Sequence, residues 1–118
     1  MSRVVLVTGG NRGIGLACAL AFAEQGNRVA ITSRSTPPPE ITTAGILTVT
    51  CDVTDTVQVD SAFEQIQQEL GPIEVLVANA GITRDRLVPR MTDNDFGAVL
   101  DTNLTGGFRV ARRAVRSM

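Results

Sequence analysis

The sequence predicts an α/β fold, an open parallel sheet doubly wound by helices on both faces and cut short after its fourth strand. Three observations predict it. Short apolar runs rich in Val, Ile and Leu alternate with segments of helical periodicity, as buried parallel strands and their crossovers do. A glycine-rich turn, Thr8-Gly9-Gly10-Asn11-Arg12-Gly13-Ile14-Gly15, joins the first run to the first helical segment. The chain has 118 residues, 43% of them hydrophobic, enough for a single core.

The first strand runs from Val4 to Thr8. The helix after it starts near Gly13, carries Ile14, Ala17, Cys18 and Ala21 at helical spacing on one face, and ends at Gly26-Asn27. Arg28 to Thr32 is the second strand. Pro37-Pro38-Pro39 removes three amide donors in a row, so the crossover from Ser33 to Gly45 is expected to be an irregular loop without a helix. Ile46 to Cys51 is the third strand. Asp55, followed three residues later by Gln58, resembles a capping box and opens a helix whose Val59, Ala62, Phe63, Ile66 and Leu70 share a face. Gly71-Pro72 stops it. The fourth strand, Glu74 to Ala78, ends in Asn79-Ala80-Gly81. A loop from Ile82 to Met91 carries Arg84, Arg86 and Arg90. Thr92, three residues before Asp95, caps the next helix, which is expected to bury Phe96, Val99 and Leu100. After Gly106-Gly107 a last helix begins, and its pattern is still running at Met118.

Right-handed crossovers give the strand order 3-2-1-4. They bring the turns after Thr8, Thr32, Cys51 and Ala78 to the carboxyl edge of the sheet, where such folds hold their ligands. Residues 1–118 thus form a single, incomplete domain.

Charge and composition remove several functions. Eleven basic residues against twelve acidic ones leave a net charge of −1, which gives no general pull toward nucleic acid or an anionic membrane. No run approaches the ~18 apolar residues of a membrane span, and Val4-Val5-Leu6-Val7 is too short for a signal-peptide core. The chain reads as cytoplasmic. Cys18 and Cys51 make neither a disulfide framework nor a zinc site, and with no His a metal is not expected. All eleven positive charges are Arg, and Lys, Tyr, His and Trp are absent, so Asp, Glu and Cys are the general acids at hand.

The glycine-rich turn is built for an anion. Glycines let the backbone approach a pyrophosphate, and the free amides at the start of the helix favour it. A Walker loop is excluded, because it needs a Lys. Thr-Gly-x-x-x-Gly-x-Gly in this position resembles the short-chain dehydrogenase/reductase family, and three further segments match at successive positions. Cys51-Asp52-Val53 resembles the family's adenine contact. Val77-Ala78-Asn79-Ala80-Gly81 is similar to its Asn-Asn-Ala-Gly motif, with Ala78 in place of the first Asn, which implies a loosened turn and retained binding. Asn103-Leu104-Thr105-Gly106 resembles the segment bearing its structural and catalytic Asn. Gly81-Ile82-Thr83-Arg84-Asp85 followed by Arg90-Met91 is most similar to bacterial 3-oxoacyl-[acyl-carrier-protein] reductases. Gly10-Asn11-Arg12 and the missing helix after the second strand resemble their actinobacterial branch. The resemblance covers essentially the whole chain. It implies a Rossmann-like NADP-binding half-domain with Gly9, Asn11, Arg12, Gly13, Ile14, Gly15, Arg34, Asp52, Val53, Asn79, Ala80 and Gly81 at the cofactor, and Asn103 in catalysis.

Each of these residues has a plainer reading beside the functional one. Arg12 and Arg34, with no acid after the second strand until Glu40, suit the 2′-phosphate of NADP(H) rather than the 2′-hydroxyl of NAD, or are solvated surface charges. Asp52 contacts adenine or starts the next helix, a role Asp55 fits already. Asn79 and Gly81 could form a simple turn, and Asn103 could simply bond backbone across the sheet; the resemblance implies that it does so while also holding a water of the family's proton relay. Arg109, Arg112, Arg113 and Arg116 share a helix face opposite Phe108, Ala111 and Val115. A solvated face is the favoured reading. Ion pairs in the family's dimer interface, or docking of an acidic acyl carrier protein, are the alternatives.

In the family a Tyr protonates the carbonyl oxygen, a Lys lowers its pKa and a Ser orients the substrate. Here Tyr and Lys are absent, and the Ser belongs to a fifth strand beyond Met118. The expectation is therefore the amino-terminal half of a longer, homo-oligomeric enzyme that reduces 3-oxoacyl-[acyl-carrier-protein] thioesters with NADPH in fatty acid synthesis, this half being inactive alone. The alternative is a non-catalytic nucleotide-binding module, or a remnant, that completes its sheet with another chain.

Overall fold

The computed structural model describes residues 2–82, 88–116 and 118. Thr83 to Leu87, with Arg84, Asp85 and Arg86 of the motif after Gly81, lie outside the described residues. Strand β1 (Val4–Thr8) is buried at every position, which explains a run with no polar alternation. It pairs in parallel with β2 (Arg28–Ser33) on one side and β4 (Val75–Ala78) on the other, and β3 (Leu47–Thr50) lies outside β2, giving the expected order 3-2-1-4. Thr8 stands opposite both Thr32 and Ala78. The carboxyl ends of these three strands are therefore level, and the turns that follow them open at one edge.

Alternate residues of β1 feed two cores. Val4 and Leu6 pack with Val59, Phe63 and Ile66 of helix α3 (Thr56–Leu70) and with Val110 and Ala114 of a later helix. Val5 and Val7 pack with Ala19, Leu16 and Leu20 of helix α1 (Gly13–Glu24). The expected face of α1 is not the one that packs. Ile14 is 77% exposed, Ala17 and Ala21 are exposed, and Cys18 is only half-buried, whereas Gly15 and Ala19 are buried. The helix is apolar nearly all round, so periodicity has no polar face against which to define a buried one.

The crossover expected to lack a helix contains a short one, α2 (Pro39–Thr43), which buries Ile41. Pro39 occupies its first turn, where the missing amide would have had no partner within the helix. The three prolines thus set where the helix begins and do not exclude it. Helix α3 starts as expected at Asp55, whose carboxylate accepts from the amides of Val57 and Gln58. Gln58, however, sends its Oε1 to the amide of Asp52, at 2.9 Å.

After a single 3-10 turn (Val88–Arg90), Thr92 and Asp95 form a full capping box for α4 (Asp93–Val99). The chain then continues through a π-helical stretch (Leu100–Thr105) into α5 (Gly106–Val115). The expected buried set fails here: Phe96 is 59% and Leu100 41% exposed, and Val99 is half-buried. Asp95, Thr102, Gly106, Val110 and Ala114 are the buried residues instead. Leu104, Phe108 and Val115 also face outward.

The arginine row of α5 divides in two. Arg109 and Arg113 lie mostly buried against the rest of the chain, Arg109 pairing with Asp101 at 2.8 Å and Arg113 with Asp60 at 3.3 Å. Arg113 also covers the Phe63 ring at 5.3 Å from its centre. A wholly solvated face is thus corrected. The two arginines flank the stripe that α5 presents to α3, while Arg112 and Arg116 are exposed.

Candidate nucleotide-binding cleft

A cleft of about 620 Å³ opens at the carboxyl ends of the strands, and its lining draws on all four strand-end turns. Of the residues expected at a cofactor, Gly9, Asn11, Arg12, Gly13, Ile14, Arg34, Asp52, Val53, Asn79, Ala80 and Gly81 line it. Gly15 lies buried beneath it, and Asn103 stands outside the lining. Cys51, the first residue of the Cys51-Asp52-Val53 segment, lines it too, as do Ser33, Ser35 and Thr102, to which no motif pointed. Their signal was positional, since each lies at a strand end or on the helix that closes the cleft.

The joint of the cleft is Thr8, which is 2% exposed. Its hydroxyl oxygen accepts from the amides of Asn79 at 3.0 Å and Ala80 at 3.2 Å. The end of β1 and the turn after β4 are thereby fastened together, and Asn79 returns a bond from Nδ2 to the carbonyl of Gly9 at 3.2 Å. The amides that follow Ala78 are thus both bonded to Thr8. Gly9 adopts φ +65°, a left-handed conformation that side chains disfavour, and a Cβ there would lie 2.8 Å from the Ala80 Cα. A Cβ on Gly15 would collide with the Gly9 carbonyl and the Asn79 amide. The glycines let the loop, the helix and the Asn79 turn meet.

Helix α1 is preceded by Arg12, whose backbone is extended and whose side chain caps nothing. The amides of the first turn therefore have no side-chain acceptor, the arrangement that receives phosphate. Arg12 and Arg34 are both exposed on the lining. Asn11 donates to the Ser35 hydroxyl at 3.0 Å, tying the loop to the end of β2.

Asp52 is not the cap of α3, which is Asp55. Its carboxylate accepts from the Thr54 amide at 3.0 Å and hydroxyl at 2.7 Å. The Thr54 amide bond does most to hold this carboxyl below its ordinary range, with the Thr54 hydroxyl and the charges of Arg34 and Arg109 adding to it against partial burial. Cys51 is buried and its thiol is pushed up to about 11, by burial first and then by Asp52 and Asp55. It is a packing residue rather than a nucleophile.

Asn103 projects from the π-helical stretch. Its Oδ1 accepts from the Ile82 amide at 2.7 Å and its Nδ2 donates to the Ile82 carbonyl at 2.9 Å, the two-point pattern of a neighbouring peptide. Both polar atoms of the side chain are engaged. Among the described residues no group of three or more Cys, Asp or Glu could hold a metal ion, and no helix is long and apolar enough to cross a membrane.

A sequence model of the short chain dehydrogenases matches residues 3–118. The chain belongs to the short-chain dehydrogenase family. Within it, the chain is 52% identical over 118 residues to the 3-oxoacyl-[acyl-carrier-protein] reductase MabA of Mycobacterium tuberculosis, covering 100% of this chain and 46% of that protein. It is 37% identical over 120 residues to the 3-oxoacyl-[acyl-carrier-protein] reductase FabG of Escherichia coli, covering 98% of this chain and 49% of that one. The chain spans about half the length of the curated relatives it matches. Among solved structures, a short-chain dehydrogenase/reductase from Mycobacterium marinum superposes with a TM-score of 0.90 at 38% identity, over 98% of this chain and 49% of that one. A mutant of actinorhodin polyketide ketoreductase, solved with NADPH, gives a TM-score of 0.91 at 33% identity, over 98% and 47%. The fold is thus the Rossmann-like sheet of short-chain dehydrogenases through its fourth strand.

Proposed function

We propose that this chain is the coenzyme-binding half of a reductase that converts 3-oxoacyl-[acyl-carrier-protein] thioesters to 3-hydroxyacyl thioesters with NADPH, in the cytoplasm, for fatty acid synthesis. The observation that carries the reading is the cleft, whose glycine-lined floor, uncapped helix start and two exposed arginines suit an anionic dinucleotide. The likeness to proteins with that activity supports it. In this reading Gly9, Asn11, Gly13, Ile14 and Gly15 hold the pyrophosphate, and Arg12 and Arg34 pair with the 2′-phosphate. Asp52 and Val53 receive the adenine, and Asn79, Ala80 and Gly81 line the way to the nicotinamide. NADPH bound there supplies a hydride. Asn103 holds the π-helical stretch to Ile82 and takes its place in the proton relay.

Proton delivery and substrate orientation fall to residues beyond the 118, since this chain contributes no Tyr and no Lys. The chain alone is accordingly inactive in turnover. The outward row of Phe96, Leu100, Leu104 and Phe108 supports a homo-oligomer. Titration of the chain with NADPH and NADH tests the coenzyme. Arg34→Asp should weaken NADPH at least about tenfold, the effect of roughly 1.4 kcal/mol, and an unchanged affinity would end the assignment to NADP(H).

One observation favours a second reading. Strand β4 ends the described sheet with Val75, Leu76 and Val77 only half-buried, an edge open to another chain. A non-catalytic nucleotide-binding module would complete its sheet there. Adding a separately expressed carboxyl-terminal half and following NADPH oxidation with an acetoacetyl thioester separates the two: restored turnover supports the reductase, and binding without turnover supports the module.

A further inference from the structure

We propose that Arg109 is a positioning residue for the adenine end of the cleft, fixing the Asp52-Val53-Thr54 turn from helix α5, which packs beside α3 in the same core; this rests on the coenzyme-binding reading above. The Arg109 side chain is only 17% exposed, and its guanidinium serves two acceptors. Nη1 donates to the Val53 carbonyl at 3.2 Å, and Nη2 pairs with the Asp101 carboxylate at 2.8 Å. Val53 is held by its side chain as well. Gly106, one turn before Arg109, lies so close that an added Cβ would come within 2.7 Å of the Val53 Cγ2. The same helix thus grips one residue of the turn at its carbonyl and at its methyl.

That residue is flanked by the two groups that shape the adenine end. Asp52 precedes Val53 and Thr54 follows it, and the bonds of Thr54 to the Asp52 carboxylate close the turn. A shift of the Val53 carbonyl would move both. Arg109 also adds its charge to that of Arg34 near the Asp52 carboxylate. On the other side, Asp101 belongs to the π-helical stretch that carries Asn103. One guanidinium therefore ties the adenine turn to the segment holding Asn103.

Arg113 supplies the control. It lies one turn further along α5, is similarly buried and also makes an ion pair, yet its partners Asp60 and Phe63 belong to α3 and not to the turn. A residue that merely docked α5 would behave as Arg113 does. The experiment compares Arg109→Met, Arg109→Lys and Arg113→Met in the 118-residue chain, titrated with 2′,5′-ADP under conditions where circular dichroism shows each variant folded. Arg109→Met keeps the packing and loses both bonds, and the dissociation constant should rise about tenfold, the effect of losing one hydrogen bond to a charged group. Arg109→Lys keeps the charge beside Asp101 without the planar fork, and should rise by about threefold. Arg113→Met should leave the constant unchanged. Amide exchange supplies a readout without ligand: the Thr54 and Asp55 amides should exchange faster in Arg109→Met, with Val57 unaffected. Equal weakening by Arg109→Met and Arg113→Met overturns the proposal, as does unchanged exchange at Thr54 and Asp55. If the unaltered chain binds no 2′,5′-ADP, the coenzyme reading falls and the adenine role with it, whatever the exchange shows.

Discussion

Replacing Thr8 with Val removes one oxygen atom and almost no volume, which makes it a sharp test of how the cleft is assembled. That oxygen accepts from the amides of Asn79 and Ala80 at 3.0 and 3.2 Å, inside a residue 2% exposed. Val leaves both amides without their acceptor. An unsatisfied buried donor costs about 1–3 kcal/mol; Asn79 and Ala80 are half-buried, so water offsets part of this and the lower end applies to each. The expected loss is about 2–3 kcal/mol, or a fall in melting temperature on the order of 10 °C for a domain of this size. Urea unfolding followed by far-UV circular dichroism measures it. Thr8→Ser is the companion variant, which keeps the oxygen and loses a buried methyl worth about 1 kcal/mol. Val should therefore be the less stable of the two, and should weaken 2′,5′-ADP as the turn after β4 loosens. If Val proves as stable as Ser, the hydroxyl is not the joint described, and the turn is held by packing alone.

Three further outcomes follow from single groups. Asp55→Ala removes the cap that accepts from Val57 at 2.9 Å and Gln58 at 3.3 Å, and should lower stability by about 1 kcal/mol in urea unfolding, with Asp55→Asn restoring most of it. Cys51, buried and with its thiol pushed up to about 11, should resist alkylation at pH 8 while half-buried Cys18 reacts; mass spectrometry should find one label on the native chain and two in urea. The Asp52 carboxyl is held below its ordinary range, so its stabilising contribution is complete above the unfolded Asp value of about 3.9 and is lost as pH falls through the lower folded value. Asp52→Asn should accordingly flatten the acid limb of a plot of melting temperature against pH, and an unchanged slope below pH ~4 would contradict it.

The sheet was legible because its two central strands are buried on both faces, so Val4–Thr8 and Arg28–Ser33 announce themselves as apolar runs. The cleft was legible for a related reason: glycines and short polar residues at strand ends have few other uses. What escaped the reading were decisions made by tertiary contact. Helix α1 offers apolar residues on nearly every side, and its orientation is settled by Gly15, whose bare backbone lets the helix approach Gly9 and Asn79. Arg109 and Arg113 look like solvent residues until Asp60, Asp101 and Phe63 are brought beside them from elsewhere in the chain. Thr8 appeared only as the first letter of a motif. Its hydrogen bonds span 71 and 72 residues, a separation that no local pattern carries.

The π-helical stretch also acts as a phase adjuster. Phe96, Leu100, Leu104 and Phe108 recur every four residues, and all four are exposed. In a regular α-helix each such step overshoots a full turn by about 40°, so three steps would carry the row about 120° around the cylinder. The wider turns of Leu100–Thr105 absorb part of that drift. The number of residues in this stretch therefore sets an angle. Adding or removing one would turn Phe108 by about 100° relative to Phe96, and would swing Arg109 away from Val53 in the same movement. The outer surface of the helix and the inner wall of the cleft are geared to each other through six residues.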